Sequence, residues 1–533
     1  MYKINSKVDK PDIGNMSITI DKMMRRGVRI NISKCQNLRD YYLNLMNVLK
    51  EDFATKYGVS NPNSNNQLVY YLSSKADEVS LGVKNDILNI CYDDETGKWT
   101  TNKEAMHKLS DLGYTFAQDL LDYRAAKKYA ETLNMLCEFS DENGLVHPRI
   151  TLGKTNRVNY SDPALMTIPK TLLWDVITSY EDGNTLYSVD IKNQEPSILI
   201  NLTGAKELYY ALESPDGLYE TMFKQCFSPT TKATILVDTL PENRVYSIEE
   251  LRKLGTVSPA TYSAIRPNCE NMTINGKKID AIEVVCAGSE KGLRPVLPDT
   301  VKVILEDSEV CDVPVTWESC DKKYKKNADY ELVGHLGGVD MTVSKAERNE
   351  FKTAYLALSY GASKMGIKKI CKIIDGARVY DYITKIEAIK KYRSMITKYS
   401  KEGNTCIGTA FGTMLDVGES YSDRAKVRTM LDLPIQGTGA DILSLLIKRF
   451  ETYIQEHGLA DCMSLYFTRH DELIIEVKKE YCVRTPEDEI SNILTDMIAY
   501  QIDDWVPAKV EVKKLNNNDS IDIQRGFASE DED

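Results

Sequence analysis

The segment Leu465-Tyr-Phe-Thr-Arg-His-Asp-Glu-Leu-Ile-Ile-Glu-Val477 places three polar residues between two apolar runs. The side-chain pattern on both sides of His470-Asp471-Glu472 predicts two strands joined by a tight turn that carries the acids. With five His and 79 acids in 533 residues, such a tripeptide is expected by chance roughly 0.1 times. Its meaning therefore depends on which other acidic residues the fold brings beside it.

A second acidic position follows a predicted strand. Residues 185–192 alternate as a strand, which places Asp190 near its end and Glu195 five residues beyond Asp190. Pro196 then opens a short apolar helix that ends at Gly204. Ligands can reach the edge where a strand runs into a helix. Taken alone, Asp190 is more simply interpreted as a solvent-facing acid on a half-buried strand.

Residues 344–361 predict a helix with cations on one face. Ser344 and Glu347 form a capping box, so the helix should begin there. Two cations one turn apart can hold a triphosphate, although a solvated basic pair is the simpler alternative. At about 100° per residue, a cationic stripe and an inward-packing flank are predicted. The cationic stripe consists of Arg348, Lys352, Tyr355 and Ser359. The inward-packing flank consists of Phe351, Ala354 and Leu358.

Together these segments predict phosphoryl transfer to a nucleic-acid end. Asp190 and Asp471 suit a pair of Mg²⁺ ions, because Mg²⁺ is a hard cation held by one or two carboxylates and substrate phosphates. One ion would lower the pKa of the attacking 3′-hydroxyl, and the other would hold the leaving pyrophosphate. Arg348 and Lys352 would neutralise the phosphates, with Lys352 also able to protonate the leaving group.

The composition excludes several classes of protein. A chain of 533 residues that is 42% hydrophobic can form three or four domains at about 150 residues each. Its 12 cysteines include no CxxC pair, which argues against a disulfide framework and for a reducing compartment. No signal segment and no window near 18 uninterrupted apolar residues is present. We therefore expect a soluble, intracellular protein with no membrane partner.

The net charge of -12 argues against a polyanion partner only if the charge is spread evenly. Residues 481–533 contain 13 acidic and 5 basic residues, and residues 228–340 contain 18 and 14. Since the rest of the chain is close to neutral, the charge is weak evidence against nucleic-acid binding.

Residues 228–340 differ from the mostly helical pattern of residues 15–145. They are rich in Val, Ile, Thr, Pro and Gly, and runs such as Ala281–Val285 and Thr300–Leu305 predict a small β-rich insertion. Five possible zinc ligands lack the close pair that usually anchors a zinc site, so ordinary thiols are favoured over a metal centre. These residues are Cys269, Cys286, Cys311, Cys320 and His335.

The ordered motifs resemble those of the DNA polymerase I family (family A). The 190–195 spacing is similar to its first palm motif, residues 348–361 to its fingers helix and residues 470–472 to its last palm motif. Residues 157–169, 428–441 and 24–31 are similar to further segments of the palm and thumb. The resemblance implies a mixed α+β, right-hand polymerase fold with thumb, palm and fingers, an antiparallel palm sheet and a β-rich insertion.

The resemblance also implies a function and a set of roles. The chain would be a template-directed DNA-dependent DNA polymerase using two Mg²⁺ ions, with Mn²⁺ able to substitute, and binding primer-template DNA and dNTPs. Glu195 would be the steric gate against a 2′-hydroxyl. The catalytic residues would be Asp190, Asp471 and Lys352; the metal-site residues Asp190, Asp471, Glu472 and Ile191; the nucleotide-binding residues Arg348, Lys352, Leu356, Tyr360 and Glu195; and the DNA-binding residues Arg157, Arg428, Gln436, His470 and Gly361.

Two departures from the family pattern concern the nucleotide. Leu356 stands where the family usually has an aromatic residue that stacks on the incoming sugar and base. Leu218 stands where many members place a phosphate-binding His. Neither departure removes a predicted metal ligand.

The implied domain order starts almost at residue 16, which leaves no room for an exonuclease domain, so we expect no proofreading in cis. We expect a monomer, with a separate exonuclease or processivity factor as a possible partner. The free-standing form resembles phage or mobile-element enzymes, which implies a location in the cytoplasm of a bacterial host. The boundaries are an N-terminal lead (1–15), thumb (16–150), palm (151–205 and 426–515), fingers (206–227 and 341–425), insertion (228–340) and acidic tail (516–533).

Three other functions share parts of this pattern. A single-subunit RNA polymerase uses the same palm chemistry, but it must admit the 2′-hydroxyl, which Glu195 would exclude. A metal-dependent nuclease would use paired carboxylates but has no need of the Arg348 and Lys352 helix. A silent nucleic-acid-binding scaffold would not require both aspartates with that helix.

Overall fold

The computed structural model describes residues 13–78, 81–93, 97–255, 272–290, 293, 295–317, 329–418, 422–498 and 509–515. The acidic tail, Cys269 and Cys320 lie outside the described residues. The helices are α1 Ile13–Arg26, α2 Ile32–Tyr57, α3 Asn65–Glu78, α4 Leu81–Cys91, α5 Lys103–Asp111, α6 Thr115–Phe139, α7 Lys170–Val176, α8 Gln194–Thr203, α9 Lys206–Leu212, α10 Gly217–Phe227, α11 Ile248–Leu254, α12 Lys345–Ser359, α13 Lys364–Ile370, α14 Gly376–Lys385, α15 Glu387–Lys401, α16 Asp423–Glu456, α17 Lys479–Arg484 and α18 Glu487–Ile498, with a 3₁₀ turn at Leu165–Thr167.

Strands alternate with these helices along the chain. They are β1 Val28–Arg29, β2 Tyr92–Asp93, β3 Lys98–Trp99, β4 Leu145–Val146, β5 Arg149–Leu152, β6 Val158–Ser161, β7 Thr185–Lys192, β8 Thr230–Val237, β9 Met272–Ile274, β10 Lys277–Ile282, β11 Val285–Ser289, β12 Thr300–Leu305, β13 Val310–Trp317, β14 Asp329–Leu336, β15 Asp340–Met341, β16 Cys406–Gly408, β17 Met414–Asp416, β18 Met463–Arg469, β19 Glu472–Val477 and β20 Lys509–Leu515.

The chain divides into two compact units. We call Lys3–Ile198, Cys406–Asp416 and Leu433–Asp533 the sheet unit. We call Leu199–Thr405 and Val417–Asp432, together with the first two residues, the insertion unit. Each unit has its own sheet, so the predicted site residues are distributed over two separate cores.

The sheet unit is built on a four-stranded antiparallel sheet in the order β18-β19-β7-β20. β7 has the predicted bounds, and β18 and β19 form the predicted hairpin. Of the two central strands, β19 reads Glu-Leu-Ile-Ile-Glu-Val with every residue buried, and β7 is buried at five of its eight residues. A central strand with such burial holds its turn residues at a fixed position at the end of the sheet.

The same unit contains the helical region, α1 to α6, as the sequence predicts. The long helices α2 and α6 pack on each other, and α5 packs on α6. Phe53 of α2 lies against Phe116 of α6 with ring centroids 5.2 Å apart, within an apolar cluster that includes Leu68 and Leu120. Burial of large apolar side chains like these stabilises a fold by about 1.5–3 kcal/mol each.

The insertion unit combines helices α9, α10 and α12–α15 with a β-rich region of strand order β11-β8-β14-β13-β12-β10-β9-β15. The predicted strand at Thr300–Leu305 is confirmed. The run Ala281–Val285 lies in the β-rich region as expected, but it spans two strands, because β10 ends at Ile282 and β11 begins at Val285. Apolar residues lie on both sides of the break between β10 and β11, so the sequence pattern does not indicate where one strand ends and the next begins.

Helix α16 has 34 residues and contains Pro434, and it contributes residues to both units. By length and composition it is the one described helix that could cross a membrane, but 83% of its apolar window is buried inside the protein. This is the behaviour of a core helix.

Candidate functional site

The two aspartates predicted to act together lie at one end of the central strands of the sheet unit. β7 and β19 are antiparallel with Val189 opposite Leu473, so Asp190 follows the last of these pairs. Asp471 belongs to the two-residue turn before β19, where His470 has a left-handed backbone with φ of 52°. The turn and the strand end therefore bring two half-buried carboxylates to the same edge.

Burial is the main reason that the pKa of Asp471 is raised, to about 6. The negative charges of Glu195, Asp190 and Glu472 raise it further, whereas the positive charge of Arg157 lowers it. Several carboxylates thus share one desolvated region, and among the described residues that act on Asp471 one cation, Arg157, opposes them. A positive charge brought to this edge would be stabilised.

Glu472 is buried beside these aspartates but has its own partners. Its Oε1 accepts a hydrogen bond from the hydroxyl of Ser188 on β7, and the ammonium group of Lys170 lies 3.5 Å from the same oxygen. The side chain of Ile191 is in the core, and the residue pairs with Val510 of β20. Glu472 is therefore placed to support the acidic edge from within the sheet.

The donor set at this edge fits a hard divalent cation. Asp190 and Asp471 offer carboxylate oxygens, and Mg²⁺ is commonly held by one or two carboxylates, with water and substrate phosphates completing its shell. Within the described part of the chain, no group of three or more His, Cys, Asp or Glu side chains is arranged to hold a metal ion on its own. Two carboxylates leave the other positions of a Mg²⁺ shell to further oxygen ligands.

Two of the cysteines considered as zinc ligands in residues 228–340 lie in the described part of the chain. Cys286 and Cys311 form no disulfide within the described part of the chain, and Cys286 packs in a small apolar cluster with Leu236 and Leu251. Cys311 lies on β13, where its Sγ is 3.7 Å from the carbonyl of Val303.

Glu195 lies in the first turn of α8 and is held by two donors. Gln436 Nε2 donates to Glu195 Oε1 over 2.7 Å, and Arg157 Nη2 donates to the same oxygen over 3.2 Å. The sequence predicted Gln436 and Arg157 as DNA contacts and did not predict that both would contact Glu195. α8 begins at Gln194, two residues before the predicted start at Pro196, because Pro is tolerated anywhere in a first turn.

Gln194 packs directly beneath α16. A Cβ added to Gly439 would lie 2.7 Å from Gln194 Oε1, so any other residue at position 439 would require the Gln194 side chain to shift. Gln194 is 3% exposed, and its Nε2 has no hydrogen-bond partner among the described residues. A buried unpaired polar group of this kind costs about 1–3 kcal/mol.

The predicted cationic helix is α12 in the insertion unit. Its capping box is present: Ser344 Oγ accepts from the backbone N–H of Glu347, while the Glu347 carboxylate accepts from the backbone N–H of Ser344. Arg348 is exposed and Lys352 half-buried, one turn apart. Tyr355, predicted to share their stripe, is fully buried, and its ring lies edge-on to that of Tyr219.

Tyr219 on α10 is a neighbour of this stripe that the sequence did not indicate. Its ring centroid is 6.0 Å from both the Arg348 guanidinium and the Lys352 ammonium, and its ring meets Tyr355 edge-on at 5.7 Å. The preceding Leu218 is buried in the core. Tyr219, and not Leu218, is therefore the residue of α10 that lies beside the two cations.

A second residue missed by sequence reasoning is Glu350, a buried acid on α12. Its carboxylate accepts hydrogen bonds from the backbone N–H groups of Lys372, Ile373 and Ile374, at 2.7 to 2.9 Å. This joins α12 to the loop before α14. In the sequence, Glu350 lies between Arg348 and Lys352 and is therefore expected on the surface. Its contact with the loop before α14 is apparent only from the fold.

The C-terminal end of α12 brings further predicted residues together. Tyr360 is the C-cap, and Gly361 has φ of 85°, a left-handed conformation that favours glycine. A Cβ at Gly361 would lie 2.9 Å from Leu431 and 3.3 Å from Cγ of Arg428. Arg428 is thus packed against the helix end, while the half-buried Leu356 lies one turn before Tyr360.

Asp441 closes a buried network beside the segment that contains Gln436. It accepts hydrogen bonds from the Thr409 hydroxyl at 2.5 Å and the Thr413 hydroxyl at 3.0 Å, across the hairpin of β16 and β17. Burial raises its pKa from 3.8 to about 6, although the two threonine hydrogen bonds act in the opposite direction.

We expect this shift to make stability fall with rising pH. Between about pH 4 and pH 6 the folded chain keeps the proton on Asp441 that the unfolded chain has lost, so the free energy of unfolding decreases by up to about 3 kcal/mol. In Asp441→Asn this part of the decrease should be absent, as measured by urea unfolding at pH 4, 5, 6 and 7. Thr413→Val, which removes one donor, should extend the decrease to higher pH; parallel profiles for all three proteins would contradict the assignment.

Comparison with known proteins gives family matches over most of the chain. The model of DNA polymerase family A matches residues 32–235 and 331–519, and that of the bacterial Ig-like domain (group 4) matches residues 279–339. DNA polymerase I of Aquifex aeolicus is 26% identical over 261 residues, covering 46% of this chain and 41% of that protein. DNA polymerase I of Rhizobium leguminosarum is 23% identical over 282 residues, covering 50% and 27%. The chain therefore spans less than half the length of these relatives.

A solved structure is similar as well. The POL domain of Pol1 from M. smegmatis, in complex with DNA primer-template and dNTP, matches with a TM-score of 0.57 and 16% identity. The match covers 93% of this chain and 68% of that one. At this identity the likeness concerns the fold alone, and it confirms the predicted mixed α+β polymerase fold.

Proposed function

This chain belongs to DNA polymerase family A, and from that premise we propose that it is a template-directed DNA-dependent DNA polymerase that extends a primer 3′-hydroxyl with dNTPs. The observation that carries the proposal is the acidic edge of the sheet unit, where Asp190 and Asp471 meet at one end of two central strands. Burial and the neighbouring carboxylates Glu195, Asp190 and Glu472 raise the pKa of Asp471, which supports a cation site at this edge.

Asp190 and Asp471 would hold two Mg²⁺ ions, with the backbone carbonyl of Ile191 and the carboxylate of Glu472 completing the site. When bound, these ions would lower the pKa of the primer 3′-hydroxyl and offset the charge on the leaving pyrophosphate. The protein's own part is to keep the two carboxylates fixed. Glu472 supports this through its contacts with Ser188 and Lys170.

The triphosphate would be bound by α12. Arg348 can form a bidentate contact with phosphate oxygens, and Lys352 contributes a point charge and a proton for the leaving group. Tyr219 beside both cations limits the positions that they adopt. Tyr360, Gly361 and Arg428, which lie together at the end of this helix, would contact the templating base and the DNA backbone, with Leu356 facing the incoming nucleotide.

The test of this function is extension of a labelled primer in Mg²⁺. We expect extension with dNTPs on a DNA template, and much weaker extension with rNTPs. Efficient extension with rNTPs would instead indicate an RNA polymerase, and degradation of the primer without extension would indicate a nuclease. No extension under any of these conditions would contradict the proposal.

Replacing the predicted gate should relax the choice of sugar. In Glu195→Ala, the relative kcat/KM for rNTPs over dNTPs should rise at least about tenfold, because the side chain that meets the 2′-hydroxyl is gone. Glu195→Gln keeps the size of the side chain and is the matched control, with a ratio close to that of the wild type. An unchanged ratio in the alanine variant would rule out Glu195 as the gate.

A further inference from the structure

One carboxylate oxygen in the sheet unit is shared by donors from two distant segments. Glu195 Oε1 accepts from Gln436 Nε2 at 2.7 Å and from Arg157 Nη2 at 3.2 Å. Gln436 belongs to α16 and Arg157 immediately precedes β6, so the contacts connect residues 241 and 38 positions away from Glu195. The side chain is thereby fixed from two directions.

The surroundings make these contacts effective. The side chains of Arg157 and Glu195 are 33% and 21% exposed, so both are largely removed from water. Hydrogen bonds to a charged group are about twice as strong as neutral ones. The backbone of Glu195 is already fixed by the first turn of α8, after Asn193 with φ of 52°. Rotation of the Glu195 side chain is the remaining freedom, and the two donors restrict it.

We propose that Gln436 and Arg157 are positioning residues that hold Glu195 in the orientation that excludes a 2′-hydroxyl. This inference rests on the proposed function. It gives both residues a role that differs from the predicted contact with DNA, because it acts on the sugar of the incoming nucleotide through Glu195. A carboxylate excludes an extra hydroxyl only while it stays in place, since a side chain free to rotate can move aside.

Gln436 is the better residue to change, because Arg157 also affects the pKa of Asp471. We expect Gln436→Ala to raise the ratio of kcat/KM for rNTPs over dNTPs several-fold, by less than Glu195→Ala does. Gln436→Met, which keeps the length of the side chain but cannot donate, should give the same change. Gln455→Ala, an exposed glutamine on the same helix, is the control and should leave the ratio unaltered.

The double variant separates positioning from direct contact. If Gln436 acts through Glu195, then Gln436→Ala should cause no further change in the ratio when Glu195→Ala is already present. If Gln436 acts only on DNA, both Gln436 variants would weaken primer-template binding and leave the ratio at the wild-type value, which would overturn the proposal. Failure of the wild-type chain to extend a primer with dNTPs would instead refute the function itself.

Discussion

Asp471→Asn is expected to lower the rate of primer extension by about 10³-fold or more, because a carboxylate that holds a catalytic cation contributes several kcal/mol to the transition state. Asparagine has the same shape, so the turn between β18 and β19 should form normally. Affinity for primer-template DNA should stay within a few-fold of the wild type. The measurements are single-turnover extension in Mg²⁺ and equilibrium binding of a labelled primer-template.

Asp182→Asn is the matched control for this experiment. Asp182 lies before β7, at the opposite end of the strand from Asp190, and its side chain is fully exposed. Removing its charge should leave extension unchanged. Normal extension by Asp471→Asn, or an equal loss in both variants, would remove the basis for a cation site at this edge.

Lys352→Ala is expected to lower kcat/KM for dNTPs by about 10²-fold, because one side chain supplies both charge on the phosphates and a proton for the leaving group. Lys352→Arg keeps the charge but is a much weaker proton donor. It should therefore restore KM more than kcat. Steady-state extension over a range of dNTP concentrations separates these two parameters.

Lys345→Ala tests whether position on α12 matters. Lys345 is the first residue of the same helix and is exposed, so its removal should change neither parameter by more than about twofold. If both lysine variants behaved alike, the helix would carry only a diffuse positive charge. A loss confined to Lys352 supports a specific contact with the triphosphate.

The local features of the site could be predicted from sequence because each depends on a short pattern. The bounds of β7, the hairpin around His470 and Asp471, and the capping box of Ser344 all follow from residues within one turn or strand. The pairing of β7 with β19 could be expected only through the family resemblance, since more than 270 residues separate the strands.

Contacts between distant segments could not be predicted in this way. Tyr355 was placed on the cationic stripe by helical periodicity, yet α10 supplies Tyr219 as a packing partner and buries it. The sequence suggests that Glu350 is a surface acid, whereas in the fold its carboxylate accepts hydrogen bonds from three backbone N–H groups. The two donors to Glu195 belong to the same class, because no local pattern relates residue 195 to residue 436.

The close approach of Gln194 to Gly439 has a consequence for directed evolution of this chain. A methyl group at position 439 would collide with the Gln194 amide, so Gly439→Ala alone is disfavoured however useful a more helical residue would be there. A smaller side chain at position 194 removes the obstacle. The two positions are therefore epistatic, and a library that varies them one at a time will miss the combinations that this part of the fold accepts.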